Sequence, residues 1–107
     1  MKKDNVIQNK SYQFALKVIE LCSFIQKEKR EFILSRQLLR SGTSIGANVE
    51  EAIGAQSKKD FHAKMTIAYK EARESRYWIR LIIDSQLIEK NKGLFYLNDI
   101  EEIQRIS

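Results

Sequence analysis

The chain has 107 residues, of which 43% are hydrophobic and 31% are charged. These fractions are those of an ordinary globular protein, and no apolar run approaches the roughly 20 residues of a transmembrane helix. The single cysteine, Cys22, excludes an internal disulfide, and as a small buried hydrophobe it is consistent with a reducing cytoplasm. Because no apolar segment typical of a secretory signal follows Met1, we expect one cytoplasmic domain over residues 1–107.

The positive charge is concentrated in two parts of the chain. The net charge is +5 at pH 7, and the sequence pI is about 9.4. Lys and Arg outnumber Asp and Glu by seven to three over residues 1–30 and by eight to five over residues 57–90. This balance permits a nucleic acid or an acidic protein as partner, and it does not by itself distinguish the two.

The first two predicted helices are amphipathic, and the absence of proline favours helices throughout. The first runs from about Ser11 to Lys29, and the second from near Glu31 to Gly54. Apolar residues on one face of the first helix are Phe14, Val18, Cys22 and Ile25, with Tyr12, Leu16 and Ile19 widening that face. Those along one side of the second are Leu34, Leu38, Ile45, Val49 and Ala52.

A turn at Asn91-Lys92-Gly93 is predicted to separate the third and fourth helices. The third opens at Ser57, whose hydroxyl can cap its N-terminus, and runs to about Ser85. The shorter fourth helix carries Leu97, Ile100, Ile103 and Ile106. No stretch alternates with period two for long enough to indicate a strand. The predicted fold class is therefore all-α, an antiparallel up-down four-helix bundle.

Helix three carries two apolar faces. Its heptad seam, which suits the crossing angle of a four-helix bundle, consists of Phe61, Met65, Ala68, Ala72, Ser75, Ile79, Ile82 and Gln86. The second face, here called the tryptophan flank, consists of Ala63, Ile67, Trp78 and Leu81. A bundle needs only the seam, so the flank predicts an oligomer interface at Ile67, Trp78 and Leu81, anchored by Trp78. The alternative is that the ends of the chain cover the flank.

Three of the four glycines fall within residues 41–57, SGTSIGANVEEAIGAQS. A phosphate-binding P-loop needs G-x-x-x-x-G-K-[ST], whereas three residues separate Gly42 from Gly46 and Ala47-Asn48 follows. The dinucleotide pattern G-x-G-x-x-G is missing as well. We therefore predict a helical packing segment whose small residues let a neighbouring helix approach, with an inward Asn48 that fixes the register between helices.

The segment QLLRSGTSIGANVEEA resembles the four-helix-bundle proteins encoded within intervening sequences of bacterial large-subunit ribosomal RNA genes. Positions that match the family pattern Q-L-x-R-x-x-x-S-I-x-x-N-I-A-E-G are Gln37, Leu38, Arg40, Ser44, Ile45, Asn48 and Glu51, with Val49 at an isoleucine position. In helix three, Phe61, Ala68 and Glu74 are similar to family residues. The resemblance covers about residues 10–106.

The resemblance implies a homo-oligomer, with a pentameric ring favoured, in agreement with the tryptophan flank. It also marks Ser44, Ile45, Asn48 and Glu51 as a structural motif. A related group, the accessory proteins of diversity-generating retroelements, is similar in fold and associates with reverse transcriptase and nucleic acid. By that analogy, a reverse transcriptase or another protein is a candidate partner.

No catalytic group of residues stands out. His62 is the only histidine, and no Cys, Asp or Glu lies four residues from it as a second metal ligand. The paired glutamates are expected to act as caps, surface ion pairs or interface contacts; they are Glu50, Glu51, Glu71 and Glu74. We predict no catalytic residue, metal or cofactor. An enzyme that uses Glu51, Asn48 or His62 is the least favoured hypothesis.

The outer face of helix three is basic. Residues within about 120° of one another on the helix wheel are Lys59, Lys70, Arg73, Arg76 and Arg80, with His62, Tyr69 and Tyr77 between them. Cations bind phosphates and tyrosine stacks on unpaired bases, so the seven Lys, Arg and Tyr residues form the predicted nucleic-acid site, with Arg36 and Arg40 as additions. The leading hypothesis is a non-enzymatic oligomer that binds RNA or DNA. The alternatives are a scaffold for an acidic protein partner and a merely solvated face.

Overall fold

The computed structural model describes the backbone of residues 2–106 and the side chains of residues 4–106, so Met1 and Ser107 of the predicted domain lie outside the described residues. It contains four helices: α1 (Lys2–Lys29), α2 (Ile33–Ile53), α3 (Lys58–Asp84) and α4 (Lys90–Ile106). They pack into a bundle of 44 × 22 × 18 Å. Over residues 2–106, no helix is both long and apolar enough to cross a membrane.

Each helix runs antiparallel to its two neighbours. The contacts between helices pair early residues of one with late residues of the next; they are Gln8–Glu50 and Gln26–Ser35 (α1 and α2), Arg40–Glu71 and Glu51–Lys64 (α2 and α3), Arg76–Glu101 (α3 and α4), and Lys10–Glu102 and Lys17–Asp99 (α4 and α1). The connections, residues 30–32, 54–57 and 85–89, are short. The predicted all-α, up-down four-helix bundle is confirmed.

The core follows the heptad seam of α3. Its central residues are all buried; they are Ala68, Ala72, Ser75, Ile79 and Ile82. The hydroxyl of Ser75 donates a hydrogen bond to the hydroxyl of Ser41 on α2 at 2.8 Å, so the two buried serines satisfy each other. Gln86 is exposed beyond the end of α3. The seam therefore ends at Ile82, before the predicted Gln86.

Two glycines of α2 let α1 approach closely. A Cβ atom added at Gly42 would lie 3.0 Å from both Cγ atoms of Val18, and one at Gly46 would lie 3.5 Å from the backbone oxygen of Ser11. The first contact would be overpacked, which cores tolerate poorly. The interpretation of this stretch as a packing segment is confirmed, because the close contact offsets the cost of glycine in a helix, about 1 kcal/mol per residue.

The start of α1 lies more than two turns before Ser11, where the sequence predicted it. Ser11 is buried, and its hydroxyl donates to the carbonyl oxygen of Gln8 at 3.1 Å, so it belongs to the helix interior and is not a cap. Ile7, one turn earlier, is also buried and extends the face that carries Phe14. The prediction missed this part of the helix because only Val6 and Ile7 are apolar among residues 2–10, and two adjacent residues show no helical period.

Side chains cap the N-termini of α2 and α3. The carboxylate of Glu31 accepts hydrogen bonds of 2.9–3.0 Å from the backbone N–H groups of residues 33, 34 and 35. Its negative charge also lies at the positive end of the α2 dipole. At α3, the hydroxyl of Ser57 accepts from the N–H of Asp60 at 3.1 Å, which confirms the predicted cap.

The predicted turn at Asn91-Lys92-Gly93 is wrong, because these residues lie in the first turn of α4. The chain reverses over residues 85–89, where Gln86 has a left-handed φ of 64°. Gly93 is buried, and a Cβ atom there would collide with Cγ1 of Ile83 and lie 2.9 Å from its Cδ1. Glycine is required here because α4 packs closely against α3, not because the chain turns.

We expect Gly93→Ala to destabilise the protein by about 1–2 kcal/mol, because overpacking against Ile83 exceeds the gain in helix propensity. Urea unfolding followed by circular dichroism measures the change. Gly54→Ala is the matched control, since Gly54 has φ −85° and an added Cβ would meet no heavy atom closer than 3.7 Å. The control should be neutral or stabilising by up to about 1 kcal/mol. A Gly93→Ala protein as stable as the parent would contradict the close contact.

Candidate nucleic-acid interface

A shallow depression of about 320 Å³ lies between α3 and α4. It is lined by Tyr69, Arg73, Arg76, Tyr77, Arg80 and Gln104. The five α3 residues follow one another at steps of three, four and one, which place them on one side of the helix. The structure thus brings together five of the seven predicted site residues, on the side of α3 that faces α4.

The three arginines of the depression differ in their partners. Nε of Arg76 lies 2.9 Å from a carboxylate oxygen of Glu101 on α4, so its charge is compensated within the chain. Arg73 and Arg80 are exposed, and among residues 4–106 no carboxylate forms an ion pair with either of them. The unbalanced positive charge of the depression therefore comes from Arg73 and Arg80.

Both tyrosines of the depression present part of their rings to solvent. Tyr69 is 38% exposed and Tyr77 is 52% exposed. The ring of Tyr77 packs against Trp78 in an edge arrangement, with 5.1 Å between centroids and 67° between planes. This contact covers one side of the Tyr77 ring and leaves about half of the residue accessible to solvent.

Two predicted site residues lie outside the depression, and one lining residue was missed. Lys59 and Lys70 are exposed, but Lys59 lies 14 residues before Arg73, about 21 Å along the helix axis. Gln104 was missed because the sequence does not say which face of α4 packs against α3. A signal for it exists in the spacing of Ile100 and Ile103, which are both buried. The residues that follow them, Glu101 and Gln104, are also three apart, so they lie on the same side of α4.

The proposed additions from α2, Arg36 and Arg40, do not line the depression. Arg40 forms ion pairs with Glu71 and Glu74 of α3, and Glu74 also accepts a 2.9 Å hydrogen bond from the indole N–H of Trp78. Arg36 lies 5.5 Å from the ring centre of Phe32, at the loop between α1 and α2. Neither guanidinium lines the depression, because the α2 side of α3 is turned away from α4.

The family-like motif of α2 forms structural contacts. Ile45 is fully buried, and Glu51 pairs with Lys64 of α3 at 3.1 Å. Asn48 is half-buried, and its side-chain N–H donates to the carbonyl oxygen of Ser44, one turn back in the same helix, at 2.9 Å. The expectation that Asn48 fixes register between helices is therefore wrong.

The tryptophan flank is partly covered by its own chain. Ile67 is 41% exposed, whereas Trp78 and Leu81 are half-buried, and Trp78 packs against the core. A more exposed apolar surface, here called the α1 stripe, consists of Tyr12 (62% exposed), Leu16 (46%) and Ile19 (49%). The prediction that these three residues widen the core face of α1 is wrong, because each of them is exposed to solvent over nearly half of its surface or more.

Each side chain that could take part in catalysis is either buried or in contact with another side chain. Cys22 is buried, and desolvation, with a smaller effect of Glu31, raises the pKa of its thiol to about 12. His62 is exposed and packs edge-on against Phe61. Glu50 accepts from Gln8, and the other paired glutamates contact Lys64, Arg40 or Trp78. Among the side chains of residues 4–106, no three His, Cys, Asp or Glu residues are grouped as a metal site.

A family model and a solved structure both match this chain. The family model of the 23S rRNA-intervening sequence protein matches residues 3–107. A crystal structure at 1.70 Å resolution, of a Bacteroides thetaiotaomicron VPI-5482 protein of unknown function from the S23 ribosomal protein family, is similar with a TM-score of 0.95 and 46% identity. The match covers 97% of this chain and 93% of that one. A comparison with curated proteins found no match.

We expect Cys22 to resist thiol reagents in the native protein. With a pKa of about 12, almost no thiolate is present at pH 8, and burial blocks access. Reaction with Ellman's reagent at pH 8 should therefore be slow and limited by opening of the bundle, and it should become fast in denaturant. Rapid labelling of the folded protein would contradict the buried position of this thiol.

Proposed function

The chain belongs to the 23S rRNA-intervening sequence protein family, and we propose that it is a non-enzymatic, cytoplasmic homo-oligomer that binds RNA or DNA through phosphate contacts. The observation that carries this proposal is the pair of uncompensated guanidinium groups of Arg73 and Arg80, beside exposed tyrosine rings. Guanidinium groups bind phosphate oxygens in a planar, bidentate geometry. Their spacing along a smooth bundle favours backbone contacts with little base specificity.

An acidic protein is the second candidate partner, because the same two cations would pair with carboxylates. The resemblance to accessory proteins of diversity-generating retroelements adds a reverse transcriptase as a candidate of this class. Nucleic acid is favoured because the tyrosines beside the arginines offer stacking surfaces that carboxylates do not use. Direct binding measurements separate the two.

The proposed assembly is a ring, with five subunits favoured, in which the tryptophan flank of one copy contacts the α1 stripe of the next. A cyclic ring of more than two subunits uses two different surfaces on each copy, and the tryptophan flank and the α1 stripe are two apolar surfaces that each expose large side chains. The flank lies on the α2–α3 side, since Glu74 contacts both Trp78 and Arg40. The α1 stripe lies on the α1–α2 side, where Tyr12 borders a groove with Thr43 and Ala47. The two surfaces therefore lie on either side of α2.

The affinity for a labelled RNA or DNA oligonucleotide should fall at least tenfold between 50 and 200 mM salt, because phosphate contacts release counterions. The double variant Arg73→Ala/Arg80→Ala should bind at least tenfold more weakly at low salt, with a shallower salt dependence. Fluorescence anisotropy titrations measure both effects.

The matched control is Lys27→Ala/Lys29→Ala, which removes the same charge from exposed positions on α1, a helix that does not neighbour α3. It should bind within about twofold of the parent. If both double variants lose affinity equally, net charge alone accounts for binding and the depression is not the site. If neither RNA nor DNA binds at low salt, the nucleic-acid proposal fails and an acidic protein becomes the partner to test.

The ring predicts complementation between two assembly-defective variants. Ile67→Glu disrupts the flank and Leu16→Glu disrupts the α1 stripe, so each protein alone should be a monomer by light scattering. An equimolar mixture should form a dimer, because the intact flank of the second variant can dock on the intact stripe of the first.

Thr66→Glu, an exposed substitution next to Ile67, is the control and should keep the mass of the parent assembly. If Leu16→Glu leaves the assembly unchanged while Ile67→Glu abolishes it, the contact is flank to flank. If Ile67→Glu and Leu16→Glu both keep the mass of the parent assembly, neither surface belongs to the interface.

A further inference from the structure

We infer that the depression between α3 and α4 binds an unpaired, single-stranded nucleotide segment and discriminates against duplex. This inference rests on the proposed function and specifies the form of its ligand. Arg73 lies midway between Tyr69 and Tyr77 on α3, four residues from each. The two tyrosines are separated by about 12 Å along the helix axis, so their rings would contact different bases while Arg73 binds the phosphate between them.

The tyrosine rings are suited to stacking rather than to a structural role of their hydroxyl groups. Neither hydroxyl of Tyr69 or Tyr77 forms a hydrogen bond with another group among residues 4–106. The Tyr77 ring is held from one side by Trp78. Solvent-exposed aromatic surfaces beside an arginine are the arrangement that single-strand-binding proteins use to stack bases without reading their identity.

The shape of the site disfavours a duplex. Proteins that read duplex DNA insert a projecting helix into the major groove, whereas here the cations lie in a concavity between two packed helices. A duplex also hides the faces of its bases inside the stack, so it could use Arg73 and Arg80 but not the tyrosine rings. A single strand can use all four side chains.

Glu101 and Gln104 of α4 add to this preference. Glu101 holds Arg76 at 2.9 Å and compensates its charge, so the unpaired cations of the site are Arg73 and Arg80, which suits the lower phosphate density of a single strand. Gln104 lines the opposite side from the α3 residues, and its amide can both donate to and accept from the edge of an unstacked base. Such base edges are accessible in a single strand.

The experiment compares a single-stranded oligonucleotide with its duplex in anisotropy titrations at 50 mM salt. The parent protein should bind the single strand at least tenfold more tightly. Tyr77→Ala and Tyr69→Ala should each weaken single-strand binding by about 5- to 150-fold, the range measured for one stacked base. Tyr77→Phe and Tyr69→Phe should stay within about twofold, because phenylalanine retains the ring. The salt dependence should stay unchanged in all four tyrosine variants and become shallower in Arg73→Ala.

Circular dichroism and light scattering verify that each variant is folded and assembled. If Tyr77→Ala unfolds because the Tyr77–Trp78 contact is lost, Tyr69→Ala still tests stacking. Equal affinity for single strand and duplex, or alanine variants that bind as well as the phenylalanine variants, would overturn the single-strand inference and leave phosphate binding intact. Binding of neither form at low salt would instead overturn the proposed function itself.

Discussion

The contact between α1 and α2 at Gly42 sets the geometry on which the bundle depends. Because no side chain stands between Gly42 and Val18, α2 packs deep enough for Ile45 and Val49 to be fully buried. The opposite side of α2 then meets α3, where the Ser41–Ser75 hydroxyl pair and the Arg40–Glu71 ion pair align the two helices. Apolar packing of this kind supplies most of the stability of a bundle, while the polar pairs select one alignment.

Periodicity predicted which side of each helix enters the core, and this part of the prediction succeeded. The seam from Ala68 to Ile82 is buried as expected, because a 3.5-residue repeat has few other solutions in a helical protein. Glycine was ambiguous: at Gly42 it marks a close helix contact, and so it does at Gly93, where the sequence suggested a turn. A single chain does not say whether a missing side chain serves backbone conformation or a neighbour.

The candidate site was predictable only along one helix. The α3 residues from Tyr69 to Arg80 could be grouped because a helix wheel gives their relative directions, and they do line one depression. Which charges are neutralised depends on contacts between helices, and these decided the outcome for Arg40 and Arg76. The same limit applies to Leu16, which shares the apolar character of core residues yet is exposed. Helical spacing does not give the width of the buried face.

Trp78 is the only tryptophan of the chain, and it touches two surfaces at once. Its indole N–H contacts Glu74 on the flank side, and its ring contacts Tyr77 at the depression. The single tryptophan fluorophore of the molecule therefore lies at the boundary between the two regions. Its emission spectrum and lifetime are sensitive to subunit docking on one side and to base stacking on the other. Energetic coupling between the two events would be reciprocal.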